Sequence, residues 1–202
     1  MGRDKKFFII GMRRSGTSIL RDLISIHPEI QDIEFENHIL RYALQCMRIS
    51  RYKFTDWAVE EIEKFKSSNA DTDKWRGVKY ALNPGVFDME WVYLNHYFPD
   101  AKFIFITRDK CQTYKSYKKL DENIMRGHAP WDCYSPFYDL MVKQFTDYND
   151  RNPGNSCMIN YENLVMDADS ELKKVWDLLS LEPEITCNRM MRIPENWSNK
   201  NV

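Results

Sequence analysis

The sequence has no C-x-x-C pair and no even set of cysteines: Cys46, Cys111, Cys133, Cys157 and Cys187 are five and widely spaced. That pattern excludes a disulfide framework or a cysteine zinc site and leads us to expect reduced thiols in a cytoplasmic protein. No cluster of His, Cys, Asp and Glu has metal-ligand spacing, so no metal is expected. His27, His96 and His128 show no partner spacing and read as structural. No apolar run approaches about 18 residues, and residues 7–10 are too short for the apolar part of a signal peptide. The expectation is a soluble chain without a membrane partner. A dominant charge is also missing: 29 Lys and Arg against 30 Asp and Glu leave a net charge of −1. No global field recruits nucleic acid, and attraction for an anion must be local. Repeats, low-complexity stretches and internal linkers are absent. Residues 1–202 therefore read as one domain, with 184–202 weakly patterned and tail-like.

Against that plain background, residues 7–18, FFIIGMRRSGTS, stand out. Phe7, Phe8, Ile9 and Ile10 read as a buried strand. Gly11 to Gly16 bound a short loop with Arg13, Arg14 and Ser15 inside it. Thr17 and Ser18 open a helix that continues through Leu20, Leu23 and Ile24. In such an arrangement the loop amides and the positive end of the helix dipole converge on one point, which suits a phosphate-like anion. The spacing follows G-x-x-x-x-G-K-[ST], except that Thr17 stands where the lysine belongs. Arg14, with Arg13 beside it, brings a cation back into the loop.

Further along, strands alternate with helices. Strands are expected near 6–11, 30–36, 75–80, 101–107 and 156–160. Helices are expected near 17–26, 38–50, 55–67, 86–98, 110–120, 136–149 and 168–180. The stretch 121–135, with Gly127, Pro130 and Trp131, reads as a long loop. Alternation of this kind predicts an α/β fold of three layers, a phosphate-loop type with a central parallel sheet of about five strands. Ligands of open parallel sheets bind at the carboxyl ends of the strands. On this reading the phosphate loop, Glu34, Glu36 and His38, Lys79 and Arg108 all gather on one rim.

The loop GMRRSGTS resembles the 5′-phosphosulfate loop of sulfotransferases that use 3′-phosphoadenosine 5′-phosphosulfate (PAPS). Residues 103–117, FIFITRDKCQTYKSY, resemble that family's 3′-phosphate site: a strand ends in Arg108-Asp109 and Ser116 follows eight residues after the arginine. Lys110 stands where the family often has proline. Residues 161–183, YENLVMDADSELKKVWDLLSLEP, resemble the segment after the family's late strand. The resemblance implies that Arg13, Arg14, Ser15, Gly16, Thr17 and Ser18 bind the 5′-phosphosulfate, and Arg108 and Ser116 the 3′-phosphate. It implies that Arg14 is the leaving-group cation and that a carboxylate after the second strand is the base. Glu36 is favoured, with Glu34 fitting as well and His38 as another choice. Lys79 resembles a lysine placed near the sulfuryl group. The acceptor would be a small molecule, a carbohydrate or a peptide. The family's late arginine- and glycine-rich loop is not found, and Arg126 and Gly127 are candidates to replace it. The alternatives are a small-molecule or nucleotide kinase, which would need the loop lysine that Thr17 replaces, and a noncatalytic nucleotide-binding module.

Overall fold

The computed structural model describes residues 5–35, 40, 43, 55–67, 73–83, 91–123 and 129–183. Its centre is a five-stranded sheet, β1 (Lys6–Met12), β2 (Ile30–Phe35), β3 (Trp75–Leu82), β4 (Lys102–Thr107) and β5 (Ser156–Asn160). All neighbours are parallel, in the order β2-β3-β1-β4-β5. The order reverses around β1: the chain goes out to β2 at one edge, returns to β3 beside β1, then crosses to β4 and β5 on the other side. The crevice at the carboxyl ends of β1 and β4 is therefore the switch point where such sheets take ligands.

The side chains of β1 alternate between two cores. Phe7 and Ile9 join an aliphatic layer with Leu20, Leu23, Ile104, Ile106 and Val175. That layer lies under α1 (Thr17–Ser25), and under α6 (Tyr161–Met166) and α7 (Ala168–Leu179), all on one face. Phe8 and Ile10 join an aromatic layer with Phe65, Phe103, Phe105, Tyr134 and Phe145. It is covered by α2 (Thr55–Ser67), α3 (Trp91–Tyr97), α4 (Lys110–Asn123) and α5 (Trp131–Arg151). Every residue of β1 is buried, as expected of a central parallel strand with helices on both faces. The three-layer α/β architecture is the one the alternation of strands and helices predicts.

Three local readings are corrected. Helix α5 begins at Trp131, not at Pro136, and so absorbs part of the expected loop. A proline six residues into a helix removes a hydrogen bond and costs about 3 kcal/mol. Here Tyr134, Phe137, Met141, Phe145 and Tyr148 form a continuous buried stripe, and their packing outweighs that cost. Strand β3 runs on to Leu82, because Ala81 and Leu82 pair with Gly11 and Met12. Helix α6 was not foreseen; the Asn160 side chain caps it by accepting from the Asn163 amide at 2.9 Å. Most of the helix expected over 38–50, the start of that over 86–98, and residues 184–202 lie outside the described residues. No helix among the described residues is long and apolar enough to cross a membrane.

Candidate active site

The phosphate loop is shaped by two glycines and one turn. The Ser15 amide donates to the Met12 carbonyl at 2.9 Å, folding the loop back over the end of β1. Gly11 permits this closeness, since a Cβ there would stand 2.6 Å from Ser15 Oγ and 2.7 Å from Ile106 Cγ2. Gly16 has φ 104°, a left-handed conformation that leads directly into α1. A Cβ at Gly16 would also lie 2.4 Å from the Tyr161 ring. Arg14 is left-handed too, at φ 75°, which a side chain adopts only when its surroundings impose it. Helix α1 has no side-chain cap and no acidic residue in its first turn. Its leading amides and dipole are thus directed at the loop. The Ser15 hydroxyl is fully buried and has no hydrogen-bond partner among the described residues.

Strand β4 delivers the second part of the site. It ends at Thr107, and Arg108 and Asp109 form the step into α4. Asp109 opens that helix by accepting from the Gln112 amide at 2.8 Å. Arg108 Nη1 donates to the Arg14 carbonyl at 3.3 Å, and its guanidinium lies over the Tyr161 ring at 4.4 Å. Ser116, two turns into α4, accepts from Arg14 Nε at 3.0 Å. Arg14, Arg108 and Ser116, 102 residues apart at the extremes, therefore meet in one corner. The two residue sets that the sequence reading assigns to a 5′ end and a 3′ end are hydrogen-bonded to each other.

Lys79 takes part differently from expectation. It is not at the end of β3 but level with Ile9, two residues before Gly11. Its side chain is buried and its ammonium donates to Ser18 Oγ at 3.3 Å. A cation thus reaches the first turn of α1 from the neighbouring strand, while Thr17, which replaces the usual loop lysine, is itself buried.

Glu34 is not on the rim. It aligns with Val78 and through it with Phe8, four residues back from Met12, and its carboxylate is ion-paired with Arg76. At about 3.3 Å per residue it sits roughly 13 Å below the end of β1. The expectation erred because β2 is short and staggered, so proximity to its end does not mean proximity to the loop. Glu36, His38, Arg126 and Gly127 lie outside the described residues. No group of His, Cys, Asp and Glu suited to a metal ion occurs among the described residues.

Sequence reasoning missed three contributors, Tyr138, Tyr161 and Glu162. The Tyr161 ring fills the space over Gly16 and lies against Arg108. The Tyr138 hydroxyl donates to the Arg108 carbonyl, and Glu162 accepts from the Asp109 amide at 2.9 Å. For Tyr161 and Glu162 the sequence signal was their place at the start of the stretch 161–183, just after a strand; for Tyr138 there was none.

Comparison with known proteins points to sulfotransferases. Residues 88–184 match the sulfotransferase family. That segment contains Arg108 and Ser116 but not the phosphate loop. A sulfotransferase from Alicyclobacillus acidocaldarius has the same fold, with a TM-score of 0.66 at 16% identity over 96% of this chain and 88% of its own. The sulfotransferase domain of a Synechococcus olefin synthase gives 0.61 at 15% identity, over 90% of this chain and 75% of its own. A mouse sulfotransferase complexed with PAP gives 0.54 at 18% identity, over 94% and 64%. No curated protein matches the sequence. The chain thus has the fold of these sulfotransferases, and its residues 88–184 match the sulfotransferase family.

Proposed function

We propose that this protein is a sulfotransferase that moves a sulfuryl group from PAPS to an acceptor hydroxyl or amine by in-line transfer. The observation that carries the reading is the corner where Arg14, Ser116 and Arg108 meet beside the uncapped start of α1. The residues fit a donor with an anion at each end. The amides of α1 and the unpartnered Ser15 hydroxyl suit one, with Thr17 and Ser18 in the same turn. Arg108 and Ser116 suit the other. PAPS would supply the sulfuryl group and leave as 3′,5′-adenosine bisphosphate (PAP).

Each residue then has a defined task. Arg14, with Arg13 beside it, neutralises charge that builds on the leaving oxygen. Lys79 adds a second cation at Ser18. Arg108 holds the 3′-phosphate, and Ser116 donates its hydroxyl proton there when Arg14 turns to the leaving group. Glu36 takes the acceptor proton, with His38 as the other choice; Glu34 is committed to Arg76. As in phosphoryl transfer, positioning and electrostatics supply most of the acceleration. The acceptor is a small molecule, a carbohydrate or a peptide.

Thermal melting with PAP, set against ATP with magnesium, tests the donor. At 100 times its dissociation constant a ligand stabilises by about 2.7 kcal/mol, which raises Tm by roughly 5–10 °C in a chain of this size. PAP is expected to do so and ATP to do far less. No shift at millimolar PAP refutes the reading. Turnover of labelled PAPS over phenol, sugar and peptide acceptors then identifies the acceptor. With that acceptor, Glu36→Gln should lose about 10²–10⁴ in rate, and Glu34→Gln should keep its rate.

A further inference from the structure

The backbone at Arg108 is held as closely as its side chain. Strand β4 ends at Thr107 and α4 begins at Lys110, so Arg108 and Asp109 belong to neither. The helix fixes the Asp109 carbonyl, which accepts from the Thr113 amide at 2.9 Å, but the Arg108 amide and carbonyl and the Asp109 amide need partners from elsewhere, and an arginine there is aimed only as well as that backbone is held. Two helices supply the missing partners. From α5, the Tyr138 hydroxyl donates to the Arg108 carbonyl and accepts from the Arg108 amide at 3.4 Å. From α6, the Glu162 carboxylate accepts from the Asp109 amide at 2.9 Å. Burial pushes the Tyr138 phenol up to about 12, so its proton stays in place at neutral pH.

The start of α6 is anchored in turn. Glu171 of α7 is buried, and its carboxylate accepts from the Asn160 amide at 2.7 Å and from Lys174 at 2.8 Å. Asn160 precedes Tyr161 and Glu162, the residues that meet the arginine face and the Asp109 amide. Consecutive side chains on one anchored turn therefore grip the guanidinium and the backbone behind it.

We infer that Tyr138 and Glu162 are positioning residues that clamp the Arg108–Asp109 backbone from two sides and so aim the Arg108 guanidinium at a phosphate. The clamp rests on the reading above, in which Arg108 takes the 3′-phosphate of the nucleotide. Neither side chain is required to touch the ligand. The clamp acts on how far the site discriminates a 3′-phosphorylated nucleotide from one without that group.

Calorimetric titration of the full chain with PAP and with adenosine 5′-phosphosulfate, which lacks the 3′-phosphate, tests this. Tyr138→Phe and Glu162→Ala should each weaken PAP about tenfold, ~1.4 kcal/mol, and adenosine 5′-phosphosulfate by less than about threefold. Glu162→Gln keeps an oxygen that can accept from the Asp109 amide, and should restore most of the PAP affinity. Melting temperatures are measured alongside. Parallel losses for both ligands, with Tm falling in step, would make the two residues merely structural and overturn the clamp. Unchanged PAP affinity in both variants overturns it as well, provided that Arg108→Ala does weaken PAP. If the unmodified protein does not bind PAP, the functional reading fails and takes the clamp with it.

Discussion

Between Met12 and Thr17 the protein makes its anion-facing surface mainly from backbone, whereas at Arg108 it makes one from side chains drawn from distant parts of the chain. The loop depends on two glycines, a tight turn and a helix start left without a cap. Those features lie within eight consecutive residues, although Ile106 and Tyr161 crowd the loop's glycines. The Arg108 corner needs β4 to end there, α4 to bring Ser116 round, α5 to contribute Tyr138 and α6 to contribute Tyr161 and Glu162. The first surface should be sensitive to backbone shape and tolerant of many side-chain changes. The second should behave the other way. Two hydrogen bonds join them, one from Arg14 to Ser116 and one from Arg108 to the Arg14 carbonyl, so neither is fully independent.

The sharpest way to break the backbone-built half is Gly16→Ala. A methyl group there meets the Tyr161 ring at 2.4 Å and must accept φ 104°. Left-handed strain of about 1–2 kcal/mol adds to overpacking of about 1–3 kcal/mol. The expected result is a fall in Tm of roughly 5–15 °C and loss of PAP binding, read by calorimetric melting with and without ligand. An unchanged Tm would mean that the loop is not held as described. Because Tyr161 also lies against Arg108, the same change should disturb the second half.

A smaller effect is expected from Arg108→Ala. A charge-assisted contact contributes about 1.5–3 kcal/mol, so PAP should weaken about 10–150-fold. From sequence alone adenosine 5′-phosphosulfate should be nearly untouched. The hydrogen bond to the Arg14 carbonyl changes that expectation to a loss of a few-fold, about 1 kcal/mol for one hydrogen bond. Titration of both ligands decides it; equal losses would make Arg108 a purely structural arginine.

The smallest effect is that of Ser15→Ala. A buried hydroxyl without a partner costs the free protein desolvation that an alanine avoids. The free variant should melt at the same temperature or up to about 2 °C higher, while PAP affinity falls about three- to tenfold for one lost hydrogen bond. A variant that is destabilised and binds normally would show that Ser15 serves the fold, not the ligand.

The sequence by itself determined the parts of this protein whose geometry is local. Hydrophobic runs bounded by turn residues marked the central strands β1 and β4, because burial on both faces leaves few polar positions to confuse the pattern. The phosphate loop was legible because its two glycines, its turn and its uncapped helix start lie within eight consecutive residues. Tertiary structure alone decided what depends on register and on distant partners. Only the pairing of β2 with β3 shows that Glu34 stands well back from the rim and is bound to Arg76. Only the stacking of α5 on the sheet shows that its helix runs through Pro136, since the packing that outweighs a proline comes from residues far away in sequence. The same holds for the contact of Arg14 with Ser116. A hydrogen bond between residues a hundred positions apart depends on how strands and helices are packed together, and no local pattern in the chain records that.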